Sequence, residues 1–385
     1  SATGADIEAA RKLLIDRGAA DGVISTSYYT NWIGRNDIVE FKAINFSSAT
    51  SVSYAWHQMS QLVSFPNLDL TNTTDASNAW SASGSLSSFG TTEISNCTNF
   101  TSAWKSCSAL TSFPAGAKLG TAANNVNFSF AWNSSGLTAF NTPLPTANSV
   151  YYAWQNCTSL TSFSSELPLV TDVRLAWHTC SSLSEFRTTD IKNCSNFTSA
   201  WQNCSALTSF PAGAKLGTEA TNVNFQDAWR STGLTSFSTP LPTATNLRSA
   251  FEDAVSLVSF NSQLPLATNA LFAWDNCSSL TSFDVSLPSL TAMYRAWAGC
   301  SSLTDFSVDV FSNWNPQSIS SGVFDFTWQG CTSLTAQSVE NILTSIDASG
   351  KYATSTGASG GSALTDAGID ITYNVATGSL SAATN

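Results

Sequence analysis

The sequence predicts an α/β repeat: a solenoid with a parallel sheet on one face and about 13 strands. An N-terminal helical cap and a C-terminal helix-strand cap are expected to close its ends. Three observations carry that expectation. An Ala-Trp pair recurs with Trp at 56, 80, 104, 132, 154, 177, 201, 229, 274 and 297, and Phe251 and Trp328 complete the series. The gaps are 24, 24, 28, 22, 23, 24, 28, 22, 23, 23 and 31 residues, a solenoid period. Composition agrees: 43% of the 385 residues are hydrophobic and only 11% charged. In place of charge the chain carries 63 Ser and 45 Thr, so its surface is rich in hydroxyls.

The elements follow in order along the chain. Residues 5–18 place Ile7, Ala10, Leu13 and Leu14 at helical spacing before Gly18, which predicts an amphipathic capping helix. Each repeat then opens with apolar or small residues at i, i+3, i+4 and i+7, as in Val173, Ala176, Trp177 and Cys180 or Met293, Ala296, Trp297 and Cys300. That spacing predicts one or two helical turns. L-x-x-F-x-apolar follows, as in Leu280, Phe283 and Val285, and predicts a short strand. In phase, strands start from Ile38 and Phe41 through to Leu334, giving 13, so the sheet would run on the order of 60 Å. The stretch from Asn96 reappears from Asn193, 97 residues later, a duplicated block of four rungs. Two long rungs share PAGAKLG, at Pro114 to Gly120 and Pro211 to Gly217, and these segments are expected to bulge from the stack. A third long rung contains Asn313-Trp314-Asn315-Pro316. Beyond the repeats, Ser338 to Ile346 reads as a helix and Ile369 to Val375 as a strand, with Gly357 to Ser362 a loop and SLSAATN a tail or the start of a linker. The division expected is 1–37 N-terminal cap, 38–337 solenoid and 338–385 C-terminal cap and tail.

The motif C-x-S-L-T-S-F, a Pro-containing segment and then A-W-x-x-C resembles the leucine-rich repeats of the BspA-like, treponemal type, whose rungs commonly have Phe in place of Trp. The likeness covers about residues 38–337 and returns in register a dozen times. It implies a leucine-rich-repeat solenoid of the kind found in bacterial surface adhesins and in phage- and virus-associated proteins.

Composition narrows the function classes. A net charge of −11 with 15 Lys and Arg excludes the concentrated basic face that nucleic acid or an anionic membrane requires. No apolar run of 18 residues suggests membrane insertion. Seven cysteines (107, 157, 180, 204, 277, 300 and 331) share one repeat position, and Cys97 and Cys194 share another. Ser135, Thr232 and Ala254 replace them elsewhere, so a column of buried thiols is expected and neither a zinc site nor a disulfide framework. His57 and His178 follow a repeat Trp where Lys105, Gln155, Gln202, Arg230 and Asp275 stand in other rungs, which predicts solvent-facing side chains. No nucleophile-base pair, metal centre or phosphate loop is evident, so no enzyme activity and no cofactor are expected. Glycosylation sequons such as those at Asn99 and Asn196 are by-products of the repeat.

The remaining candidates are for contact. Lys118, Lys215 and Trp314 leave the repeat pattern in the long rungs. Off-phase aromatics (Tyr28, Tyr29, Trp32, Tyr54, Tyr151 and Tyr152) are further candidates. On the strand, the third position of L-x-x-F points outward and is Ser at eight of 13 rungs, among them Ser162, Ser209, Ser236, Ser259 and Ser282. No rung carries Trp, Tyr or Arg, the usual anchors of protein interfaces, at that position. The expectation is a surface-exposed binding or adhesion module, extracellular or on a cell or virion surface, that recognises a glycan or receptor. The alternative is a self-assembling component of a virion, tail fibre or surface layer; ice binding by the hydroxyl ladder is a third idea.

Overall fold

The computed structural model describes residues 49–315 and 323–348, the single positions 34, 36 and 46, and the backbone of Ile369–Asn374 and Ser379–Thr384. The expected N-terminal helix, the strand from Ile38, and Tyr28, Tyr29 and Trp32 lie outside the described residues. By packing the chain divides into two compact units, Ser1–Asp172 and Val173–Asn385. Each is a stack of parallel turns.

In the first unit the repeat indoles stack face to face: Trp56 on Trp80 at 5.4 Å, Trp80 on Trp104 at 5.1 Å, Trp104 on Trp132 at 5.3 Å and Trp132 on Trp154 at 5.3 Å. The second unit repeats this from Trp177 through Trp201, Trp229, Phe251, Trp274 and Trp297 to Trp328, with Phe251 5.0 Å from Trp229 and 6.4 Å from Trp274. The strand phenylalanines form a second column against the first, edge to face, as Phe89 does with Trp104 at 5.2 Å. A rise of about 4.8 Å per turn holds equivalent rings parallel, and the crossed column supplies the edge contacts that aromatic quadrupoles favour.

The Trp segments are not helical, which corrects the α part of the expected fold. In the first unit Ala79 N–H bonds Ala76 O (3.2 Å) and Ser81 N–H bonds Asn78 O (3.2 Å), i to i−3, while Trp80 N–H reaches Ala103 O (2.8 Å) in the next turn. In the second unit Ala200 bonds Phe197 (3.0 Å), and Trp201 reaches Ala228 (2.9 Å). The segment is therefore a chain of overlapping tight turns whose alternate N–H groups bond to the neighbouring turn. Residues two before and two after each Trp are left-handed: φ is 53° at Asn78 and 60° at Ala82, and 54° at Ser199 and 63° at Asn203. Tight turns bring i, i+3 and i+4 to one face as a helix does, so the apolar spacing is the same. The sequence signal that separates them lies at the second residue after the repeat aromatic, which is Asn, Asp or Gly in half of the rungs, the types that tolerate positive φ.

Strands are two or three residues long. Ser64–Phe65 pairs in parallel with Ser88–Phe89, and Ala139–Phe140 with Ser162–Phe163. In the second unit Ser236–Phe237, Ser259–Phe260, Ser282–Phe283 and Asp305–Phe306 form one parallel sheet. No strand forms at Ser112 or Ser209. In most paired turns the residue after Phe donates to the preceding Phe carbonyl, as Asn261 does to Phe237 at 2.8 Å; Pro114 and Pro211 have no N–H to give. The PAGAKLG segments do not bulge either: Lys118–Leu119 pairs in parallel with Glu93–Ile94, and Lys215–Leu216 with Asp190–Ile191.

The hydroxyls have a structural use. Thr161 Oγ1 donates to Thr138 O (2.8 Å), and Thr138 Oγ1 to Thr111 O (3.1 Å). In the second unit Thr304 donates to Thr281 O (3.1 Å) and Thr291 to Thr268 O (3.0 Å). Each such residue ties its turn to the one before and fills a carbonyl lone pair that charged side chains would leave to water. Asn99 adds a side-chain ladder, donating to Asp75 Oδ1 (3.0 Å) while its Oδ1 accepts from Thr101 N–H (3.1 Å).

At the C-terminal side, the strand expected from Leu334 is the start of the helix Ala336–Ala348. Thr335 caps it through Ser338 N–H (3.2 Å). Ser338 is buried: its Oγ accepts from Phe306 N–H (3.0 Å) and donates to Thr304 O (2.8 Å), and Asn341 Nδ2 bonds Phe306 O (2.9 Å). The helix thus satisfies the edge of Asp305–Phe306, where another strand would leave a new edge open. Ile369–Asn374 is a strand as expected, and Ser379–Thr384, read as tail, pairs with it antiparallel.

Candidate ligand-binding surfaces

The outward serines are brought into register. Ser64 lies opposite Ser88, and Ala139 opposite Ser162, in the first unit. In the second, Ser236, Ser259, Ser282 and Asp305 are successive partners, at a spacing of about 4.8 Å. Ser209 precedes Phe210 in the turn before, outside a regular strand. Thr161, Thr235 and Thr281, beside Ser162, Ser236 and Ser282, spend their hydroxyls on the preceding turn, and Val258 stands beside Ser259; the hydroxyls of the four serines have no hydrogen bond among the described residues. Within each unit they are left to face water, each hydroxyl both a donor and an acceptor.

The other candidates fare differently. Trp314 is 1% exposed, its indole N–H donates to Leu290 O at 2.7 Å and its ring packs on Phe311 and Phe324. The long rung folds it inward, so it is a core residue and not a contact. Lys118 stays on the surface, paired with Glu93 at 2.8 Å. Lys215 is exposed, opposite Asp190 in strand register. Arg187–Glu185 and Lys192–Glu219 are further exposed pairs; such pairs contribute little to stability but leave few unpaired cations. Tyr151 and Tyr152 cluster with Phe130, Tyr152 stacking on it at 4.8 Å. Tyr54 is 44% exposed and edges onto His57. Sequence reasoning passed over a second aromatic group, Phe272, Tyr294 and Phe326, with Arg295 over Phe272 at 6.0 Å. Arg295 is anchored by Asp275 at 2.9 Å.

The position after the repeat Trp is half-buried, not solvent-facing. Burial pushes both His57 and His178 below the ordinary imidazole range. At Asp275, also in this position, burial raises the carboxyl and the Arg295 hydrogen bond only partly opposes it.

All nine cysteines are buried thiols. In the main column the thiols act as more than small apolar groups: Cys107 Sγ donates to Trp80 O (3.1 Å), Cys204 to Trp177 O (3.1 Å) and Cys300 to Trp274 O (3.2 Å). Ser83 does the same to Trp56 O at 2.9 Å, which explains why small hydroxyls alternate with thiols here. Burial pushes the Cys107 and Cys204 thiols up to about 12 and Cys157 to about 11, so the thiolate that metal binding or nucleophilic attack requires is suppressed. Among the described residues no His, Cys, Asp and Glu cluster could hold a metal ion, and no helix is long and apolar enough to cross a membrane.

Solved structures of several leucine-rich repeat proteins align with the chain. A leucine-rich repeat protein from Bacteroides ovatus aligns over 80% of this chain and 85% of its own, at 13% identity and a TM-score of 0.34. The T. pallidum leucine-rich repeat protein aligns over 53% and 81%, at 19% identity and 0.31. A leucine-rich cell surface protein from Faecalibacterium prausnitzii aligns over 55% and 70%, at 18% identity and 0.28. The chain is similar to bacterial leucine-rich repeat proteins. No family model and no curated protein matches it.

Proposed function

We propose that this leucine-rich-repeat chain is a non-enzymatic binding module, displayed at a surface, that presents its serine-lined sheet face to a glycan or a surface receptor. The observation that carries the reading is the division of labour among hydroxyls. Threonines are consumed in holding turn to turn, while the outward serines have no hydrogen bond among the described residues and, in the second unit, Ser236, Ser259 and Ser282 stand in successive register. A row of that kind, lacking Trp, Tyr and Arg anchors, suits many weak hydrogen bonds to a repetitive ligand and gains strength by avidity. Whole-cell and glycan-array binding by the purified chain tests this. The expected result is binding that Ser236→Glu with Ser259→Glu reduces at least tenfold, since two charges would be set in the middle of a neutral contact. Binding indifferent to those changes overturns the role of the face. If the chain binds nothing and light scattering instead shows a multimer that the same pair dissolves, the face is a packing surface for copies of the chain.

A further inference from the structure

Within the second unit, Ser259–Phe260 and Ser282–Phe283 run parallel with Ser259 opposite Ser282, so the segments leaving their carboxyl ends lie side by side. Between them is an open cleft of about 520 Å³, within the range of about 300–1,000 Å³ typical of small-molecule sites. Asn261, Gln263 and Pro265 form one wall; Asp284, Ser286 and Pro288 form the other. Beneath them lie the buried Ser262 and Val285.

At this corner the fold has a regular device. In several turns the residue two after the repeat Phe is a buried hydroxyl that donates to a carbonyl of the preceding turn: Thr91 to Pro66 O at 2.8 Å, Thr142 to Pro114 O at 3.0 Å, Thr239 to Pro211 O at 2.8 Å and Ser262 to Thr239 O at 2.6 Å. Val285 holds the next step and cannot donate. The Ser262 carbonyl therefore receives no hydrogen bond among the described residues, and Ser262 lines the cleft. A buried carbonyl without a donor is costly unless water or a ligand supplies one.

We propose that this cleft binds a neutral saccharide. Around the uncapped carbonyl stand two amides, a hydroxyl and one carboxylate, which match hydroxyl groups able both to donate and to accept, while Pro265 and Pro288 offer apolar faces to ring C–H groups. The lining contains no cation, so an anionic sugar has no counter-charge and meets Asp284. The inference rests on the binding reading above, but on different residues from the serine face.

The test applies the full chain to an array of neutral hexose and N-acetylhexosamine oligosaccharides, then titrates the strongest-binding oligosaccharide calorimetrically against variants. Asp284→Ala removes a charged hydrogen-bond partner and is expected to weaken binding about tenfold or more. Val285→Thr supplies the missing hydroxyl, restores the corner bond and is expected to weaken binding several-fold with an unchanged circular dichroism spectrum. Ser236→Glu serves as the face control. Binding lost in the cleft variants and kept in Ser236→Glu upholds the cleft alone; loss in all three upholds it with the face as its extension. Binding unchanged in both cleft variants, or a blank array, overturns the proposal, and loss confined to Ser236→Glu leaves the face reading standing without it.

Discussion

Replacing Trp104 by phenylalanine is expected to change stability by no more than about 1 kcal/mol, whereas alanine there is expected to cost about 5 kcal/mol. Trp104 is fully buried, lies 5.1 Å from Trp80 and 5.3 Å from Trp132, and takes edge contacts from Phe89 at 5.2 Å and Phe113 at 4.8 Å. Alanine forfeits all four contacts and opens a ring-sized void, at the top of the roughly 3–5 kcal/mol seen for large aromatic truncations. Phenylalanine keeps the stack and loses about 1–2 kcal/mol of burial. It also deletes an indole Nε1–H that is buried without a hydrogen-bond partner, a burden of about 1–3 kcal/mol. The two effects offset. Phe251 demonstrates the fit, stacking at this repeat position on Trp229 with an interplanar angle of 7°. Because stacked repeats need not unfold in one step, native-state hydrogen exchange of the Trp80 and Trp104 amides should accompany a urea melt. If Trp104→Phe proves as damaging as Trp104→Ala, the indole shape or its N–H is indispensable and the reasoning about an unsatisfied donor fails.

Other expectations follow from particular contacts. Gly136→Ala drives its Cβ into the Ser108 carbonyl, so a loss of about 2–3 kcal/mol is expected in the first unit, and a melt shifted by less than half of that refutes the close approach. Ser338→Ala orphans Phe306 N–H, while Thr304 O keeps its bonds from Thr335; a cost of about 1–3 kcal/mol should appear as faster exchange at Phe306. With thiols held near 12 by burial, the folded chain should resist iodoacetamide at pH 8, and denaturation without reductant should release nine reactive groups; fewer than nine would reveal a disulfide. Burial depresses His57 and His178 below 6.5. Their contribution to stability is therefore complete above pH 6.5 and is lost as pH falls through the lowered folded values. The double variant His57→Gln, His178→Gln should flatten the melting temperature below pH 6.5, and an unchanged slope would assign it elsewhere.

Everything that depends on repetition is legible in the sequence alone. Residues that recur at one phase must face one way, so the period announces the stacked Trp and Phe columns, the buried thiols and the outward serines. It announces the parallel strands too, because a turn of 22 to 31 residues must return in the same direction. Features that depend on partners one turn away emerge only in three dimensions. A helix and a run of tight turns share the i, i+3, i+4 spacing, and the alternate N–H bonds to the next turn select the latter. Polarity does not separate the two classes of hydroxyl either: Thr161 and Ser162 are adjacent and equally polar, yet one hydroxyl is tied to Thr138 O at 2.8 Å and the other is left to solvent. Trp314 looked exposed because it broke the phase, and the longer loop turned it into the core. The uncapped Ser262 carbonyl was likewise invisible until the corner bonds were seen in space, since Val285 acquires meaning only from the carbonyl it fails to reach.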